Sequence, residues 1–136
     1  MIAVDTSALI AILADEPEAR AFQDILLATD AVIGAPTYLE FAMVAVVKSP
    51  VITSADLSKF LSYLNVSIVD FTAEDARIAE AAFRKYGKGR HKAALNFGDC
   101  CSYAMAKARG LQLLFKGNDF ALTDLASASE STNSLE

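Results

Sequence analysis

Residues 96–106 read NFGDCCSYAMA and carry an acid into the start of a packed helix. Cys100, Cys101, Ala104, Met105 and Ala106 are small or apolar, so this helix is expected to be buried, running from about Gly98 to Arg109. Gly110 is its stop signal. Asp99 falls in the first turn, where the positive end of the helix dipole stabilises a carboxylate. Taken alone, such an acid reads equally well as an ordinary surface residue. It gains chemical meaning if other acids at element boundaries reach the same point, and Asp5, Glu40 and Asp119 are the candidates.

On the N-terminal side, Met1–Val4 is a short apolar run ended by Asp5-Thr6-Ser7. It reads as a buried strand with Asp5 at its C-terminal edge, where open α/β sheets place their ligands. Ser7 or Thr6 is the candidate N-cap of the helix that follows through Ala14. Pro17 opens a second helix to about Ala28, with Ala21, Ile25 and Ala28 as its apolar line. Ala31–Ile33 is a second strand, and Thr37–Lys48 is a helix entered through Pro36. That helix is apolar nearly all round, which implies burial inside the domain or against a partner. Glu40 stands within it and must reach solvent, a donor or a cation.

Ser49-Pro50 breaks the pattern before a helix over 54–64 and a third strand, Val66–Val69. Thr72 with Asp75 marks the next helix start, with Ile78, Ala79, Ala82 and Phe83 inward. A basic cluster follows: Arg84, Lys85, Lys88, Arg90, His91 and Lys92 around Gly87 and Gly89. It reads either as a solvated loop or as an edge that steers phosphate. After the organising helix, Leu111–Phe115 is a fourth strand ending at Lys116-Gly117-Asn118-Asp119-Phe120. Thr123-Asp124-Leu125 starts a last short element, and 126–136 is a Ser-rich tail expected to be frayed.

This order predicts an α/β fold of three layers, a central parallel sheet of four to five short strands flanked by helices. Residues 1–125 make one domain, long enough to bury a core without disulfides. The hydrophobic content of 54% excludes disorder, and the net charge of −5 argues against a general nucleic-acid coat protein. Cys100 and Cys101 are adjacent on one helix and point in different directions, so they read as core residues rather than a disulfide or chelate. One histidine does not build a usual zinc site. With no signal peptide and no apolar run long enough to span a bilayer, a soluble, cytoplasmic protein is expected.

In a parallel sheet with right-handed crossovers, Asp5 and Asp119 share one edge and the starts of the helices carrying Glu40 and Asp99 approach it. Two unit charges at ~4 Å repel by about 4 kcal/mol at an effective dielectric of ~20. The acids therefore either take up protons or share a divalent cation. Carboxylate oxygens suit Mg²⁺ or Mn²⁺, which acidifies a bound water and neutralises charge on a phosphate. Phosphodiester hydrolysis is the chemistry implied.

Val4-Asp5-Thr6-Ser7-Ala8-Leu9, Glu40, Asn96–Ala104 and Lys116-Gly117-Asn118-Asp119-Phe120 together resemble the PIN-domain ribonucleases, and more narrowly the VapC-type toxins of type II toxin–antitoxin systems. The resemblance covers 1 to about 125. It implies a PIN-like fold and a Mg²⁺- or Mn²⁺-dependent endoribonuclease that cuts tRNA or rRNA and inhibits translation. It also implies a homodimer neutralised by a VapB-type antitoxin. Asp5, Glu40 and Asp99 match the family's catalytic and metal-binding acids, with Thr6 or Ser7 as polar helpers. The family often has two adjacent acids where this chain has Asn118 and Asp119. Asp119 is assigned the fourth role; if Asn118 holds that slot, the site carries one charge fewer. Arg90, Lys92, Lys116 and Asn118 are the expected substrate contacts.

Two rival readings remain. One is a catalytically weak PIN-like module that binds RNA or protein. The other is a phospho-acceptor signalling domain, disfavoured because Thr6 rather than a second acid follows Asp5 and the central strand offers only Asp70.

Overall fold

The computed structural model describes residues 1–129. Strands β1 (Ile2–Val4), β2 (Ala31–Gly34), β3 (Val66–Val69) and β4 (Leu113–Leu114) form one parallel sheet in the order β3-β2-β1-β4. Ala3 pairs with Val32 on one side and with Leu113 on the other. Successive strand residues point to opposite faces. Ile2, Val4, Ala31, Ile33 and Leu114 therefore enter one core, while Ala3, Val32 and Leu113 enter a second.

Helices α1 (Thr6–Leu13), α2 (Ala19–Leu27), α3 (Ala35–Lys48) and α4 (Ser54–Tyr63) close the first core through Leu9, Phe22, Leu26, Phe41, Leu57 and Leu61. Helices α5 (Ala73–Tyr86) and α6 (Phe97–Arg109) close the second through Ala82, Tyr86, Cys100, Tyr103 and Ala106. The architecture is the three-layer α/β sandwich expected, with four strands. No helix among the described residues is long and apolar enough to cross a membrane.

The topology creates the site. From β1 the chain steps outward to β2 and β3, then α5 and α6 return it to the far side of β1 for β4. Strand order thus reverses between β1 and β4, and the crevice beyond their C-terminal ends is where such sheets bind ligands. Asp5 leaves β1 at this point and the loop through Asp119 leaves β4 beside it. The N–H of Lys116 donates to the Ser7 hydroxyl at 3.0 Å and ties the two exits together.

Several local expectations are corrected. The N-cap of α1 is Asp5 itself, its carboxylate accepting the Ser7 N–H, rather than Thr6 or Ser7. In α2 the buried line is Ala19, Phe22 and Leu26, not Ala21, Ile25 and Ala28. Burying Phe and Leu removes more apolar area than burying alanines, so the helix turns their way. On α5, Phe83 is partly exposed and Tyr86 takes the core position. β4 is two residues long because the Leu111 N–H still bonds back to Ala106 at the end of α6. After it comes a short 3-10 turn, Phe120–Leu122.

The start of the supposed tail is packed. Leu113 donates to the Ala126 carbonyl and pairs with Ser127, and Ala128 is buried in the first core. A sheet edge left open would expose unpaired backbone groups, and 126–128 cover this one. The rest of that segment, 130–136, lies outside the described residues.

Helix α3 is buried along a single line, Thr37, Phe41 and Ala45. Leu39, Met43, Val46 and Val47 are exposed, Met43 by 61% and Val47 by 80%. Its apolar excess therefore lies on the outside of the chain rather than in its core.

Candidate active site

Asp5 is 5% exposed and caps α1 at the end of β1. Its Oδ2 accepts the Ser7 N–H at 3.0 Å and the Ser7 hydroxyl at 2.6 Å. Its Oδ1 accepts the hydroxyl of Ser102, buried on α6. Glu40 sits in the second turn of α3 and accepts the Thr6 hydroxyl at 2.7 Å, which also points at the Thr37 carbonyl at 3.2 Å. The donor that a carboxylate in that helix requires is thus Thr6.

Glu40 also rests against α6. A Cβ placed on Gly98 would meet the Glu40 carboxyl, with Cδ and Oε1 both at 3.0 Å and Oε2 nearer. The bare backbone at Gly98 therefore leaves the space in which the carboxylate lies, beside the positive end of a helix. Asn96 and Asp99 form a reciprocal cap: Asp99 N–H donates to Asn96 Oδ1 at 2.9 Å and Asn96 N–H to Asp99 Oδ2 at 3.1 Å.

The electrostatics of Asp99 report the convergence. Burial, followed by the charges of Asp5, Asp119 and Glu40, pushes its carboxyl up to about 6, against the lowering effect of the Asn96 N–H. Acids distant from it in sequence, Asp5, Glu40 and Asp119, therefore all act on Asp99. Asp119, at the mouth of the β4 exit loop, is exposed. Burial also pushes the Cys100 thiol up to about 11 and raises Cys101, so neither is an activated nucleophile.

The expected substrate contacts separate into groups. Thr6 and Ser7 belong to the acid cluster through the bonds above. The Lys116 ammonium turns away to Glu16 at 3.0 Å and Glu18 at 3.3 Å, while its backbone N–H holds Ser7. Asn118 is exposed next to Asp119. Arg90 lies over the Phe83 ring at 5.6 Å, and Lys92 is exposed in the same loop. Sequence reasoning missed Ser102, Gly98 and the Glu16–Glu18 pair. Ser102 was detectable as the residue one helical turn after Asp99, on the same face.

Hard oxygen donors from four elements, around an Asp99 raised first by burial and then by the neighbouring acids, suit a divalent cation. Among the described residues no three acidic, histidine or cysteine side chains are gathered tightly enough to form a complete ligand set. Mg²⁺ keeps several waters and takes one or two carboxylates directly, so it does not require a closed set of protein ligands.

Comparisons with known proteins show the family. The PIN domain family model matches residues 2–125. The chain is 46% identical over 125 residues to Ribonuclease VapC of Mycolicibacterium smegmatis, covering 90% of this chain and 96% of the relative. It is 44% identical over 124 residues to Ribonuclease VapC30 of Mycobacterium tuberculosis, covering 90% and 95%. Among solved structures it superposes on VapC20 of Mycobacterium tuberculosis, a toxin described as cleaving the sarcin–ricin loop, with a TM-score of 0.71 and 17% identity over 93% of this chain and 97% of that one. A toxin–antitoxin complex from Klebsiella pneumoniae matches with a TM-score of 0.67 and 21% identity, over 91% and 93%. At those identities the two structures speak for the fold, whereas the sequence matches span nearly the whole of their relatives. The chain belongs to the PIN-domain family and, within it, to the VapC group.

Proposed function

We propose that the protein is an endoribonuclease toxin that hydrolyses phosphodiester bonds in tRNA or rRNA, thereby inhibiting translation, and that a cognate VapB-type antitoxin neutralises it. The observation that carries this reading is that Asp5, Glu40 and Asp119 all act on the charge of Asp99 beside the reversal of the sheet, adding to the burial that raises its carboxyl. Its relatives are named ribonucleases, and a similar fold occurs in a toxin–antitoxin complex.

Asp5 and Asp99 would hold the cation, with Glu40 and Asp119 completing its surroundings. When bound, Mg²⁺ or Mn²⁺ acidifies a water and offsets the charge that develops on the phosphate. Ser7 and Thr6 hold Asp5 and Glu40 by hydrogen bonds, so the two acids are in place without reorganising. Asn118, Arg90 and Lys92 are assigned to RNA contact. Lys116 acts on this reading through its backbone, because its ammonium is engaged by Glu16 and Glu18.

Cleavage of total RNA should stop in excess EDTA and return with added Mg²⁺ or Mn²⁺. Below about pH 6, Asp99 holds a proton that the cation must displace, so metal affinity should fall as pH drops through that value. Undiminished cleavage in EDTA would remove the metal from the mechanism. The alternative, a PIN-like module that binds without cutting, would show metal uptake by calorimetry and no RNA cleavage.

A homodimer is proposed through the exposed α3 face. Met43→Lys should convert a dimeric mass in light scattering to a monomeric one, because a charge at the centre of an apolar interface is costly to bury. A wild type that is monomeric at high concentration would remove this part.

A further inference from the structure

Asp5 is held on two sides, and the holding is unequal. Three donors are assigned to its carboxylate: the Ser7 N–H and the Ser7 hydroxyl on Oδ2, and the Ser102 hydroxyl on Oδ1. An ionised carboxylate offers about four lone-pair directions, two on each oxygen. Oδ2 is therefore fully used, and the remaining acceptor direction is on Oδ1, the oxygen that Ser102 holds. Ser7 is in turn fixed by the Lys116 N–H, so the Oδ2 side is anchored to the β4 exit. Ser102 is 1% exposed and its hydroxyl makes this bond across 97 residues of sequence.

Ser102 also lies one turn from Asp99 on α6, whose first turn Asp99 caps with Asn96. The same rigid helix thus presents one acid directly and aims the other through a hydrogen bond. Rotation about the last bond of Asp5 would break the Ser102 contact on one side and the Ser7 contacts on the other.

We propose that Ser102 is a positioning residue of this site, which fixes the rotation of the Asp5 carboxylate so that the acceptor direction left open is the one on Oδ1, available to a divalent cation. This deepens the ribonuclease reading and rests on it. The role is distinct from that of Ser7, which holds the other oxygen from within the same turn. It assigns to α6 the task of setting the relation between the two acids, a task that side-chain rotamers alone would leave loose.

The test uses the full chain and Mn²⁺ as the probe. Mn²⁺ affinity is measured by electron paramagnetic resonance for wild type, Ser102→Ala, Asp5→Asn and the double variant, together with thermal unfolding without metal and RNA cleavage by wild type. Ser102→Ala is expected to bind Mn²⁺ about 10- to 100-fold more weakly, the range for loss of an outer partner of a metal ligand. In the Asp5→Asn background the same change should have no further effect on Mn²⁺ affinity, because the residue acts through Asp5. Ser102→Thr, which keeps the hydroxyl, should restore binding if the added methyl is accommodated.

Ser102→Ala binding Mn²⁺ as wild type does would overturn the proposal. So would an equal loss in the Asp5→Asn background, since that marks general loosening of α6. Absence of both Mn²⁺ binding and RNA cleavage in wild type would instead remove the ribonuclease reading and this proposal together. Normal wild-type cleavage with an indifferent Ser102→Ala removes this proposal alone.

Discussion

Asp99→Asn is expected to lose RNA cleavage while gaining thermal stability in the absence of metal. The loss follows from removing one of the two acids assigned to the cation. Metal stabilisation of the transition state is worth several kcal/mol, so the rate should fall by about a thousandfold or more. The gain follows from the sign of the pKa shift. Burial and three neighbouring acids raise Asp99 to about 6, so the folded protein holds this proton more tightly than the unfolded chain does. Stability therefore declines as pH rises from the ordinary carboxylate range through about 6, and above that the charged form is a net burden.

Asparagine has the same shape and no charge. Its Oδ1 can still accept the Asn96 N–H, so the helix cap survives. Because Asp99 is only half-buried, the screened benefit is about 1 kcal/mol rather than the full shift. That corresponds to roughly 3–5 °C in Tm above pH 7, fading below about pH 4. Thermal unfolding in EDTA at the two pH values, beside a cleavage assay, checks both halves. Full activity would remove Asp99 from the site, and a lowered Tm at pH 8 would show that its charge is compensated.

Gly98→Ala is the second large effect. The added Cβ would occupy the space of the Glu40 carboxyl, whose Cδ and Oε1 lie 3.0 Å from that point. The clash is with the end of a flexible side chain, so Glu40 swings out and the fold is kept. Alanine within a helix is favoured over glycine by about 0.5–1 kcal/mol, which leaves stability unchanged or slightly raised. Catalysis responds to the displacement of Glu40, since a misplacement of ~1 Å at a reacting centre can cost about 100-fold. The measurements are cleavage rate and Tm on one preparation. Activity preserved within a few-fold would show that Glu40 need not sit against α6.

Much of this was legible in the residues. Short apolar runs ended by Asp5, by Gly34 and by the Lys116–Asp119 loop marked parallel strands, because only buried strands tolerate apolar side chains on both faces. Thr72 with Asp75 marked a helix start, and Gly110 a helix end in the left-handed region at φ 64°. Helix faces were read less well. Phe22 and Leu26 displaced the alanine line of α2, and α3 turned its apolar excess outward. Pattern alone ranks residues by spacing, whereas the packed chain ranks them by the area each buries against neighbours that sequence does not name.

By itself the sequence determined the alternation of strands and helices and the four acids at element boundaries, since both depend on local periodicity and on charges placed beside turns. Only the tertiary structure decided that Ser102 holds Oδ1 of Asp5, that Glu40 lies on the bare backbone at Gly98, and that Lys116 spends its charge on Glu16 and Glu18. Those are contacts between groups tens of residues apart. They depend on how α1, α3, α6 and the β4 exit meet at the reversal of the sheet, a relation set by the packing of both cores and by no stretch of chain alone.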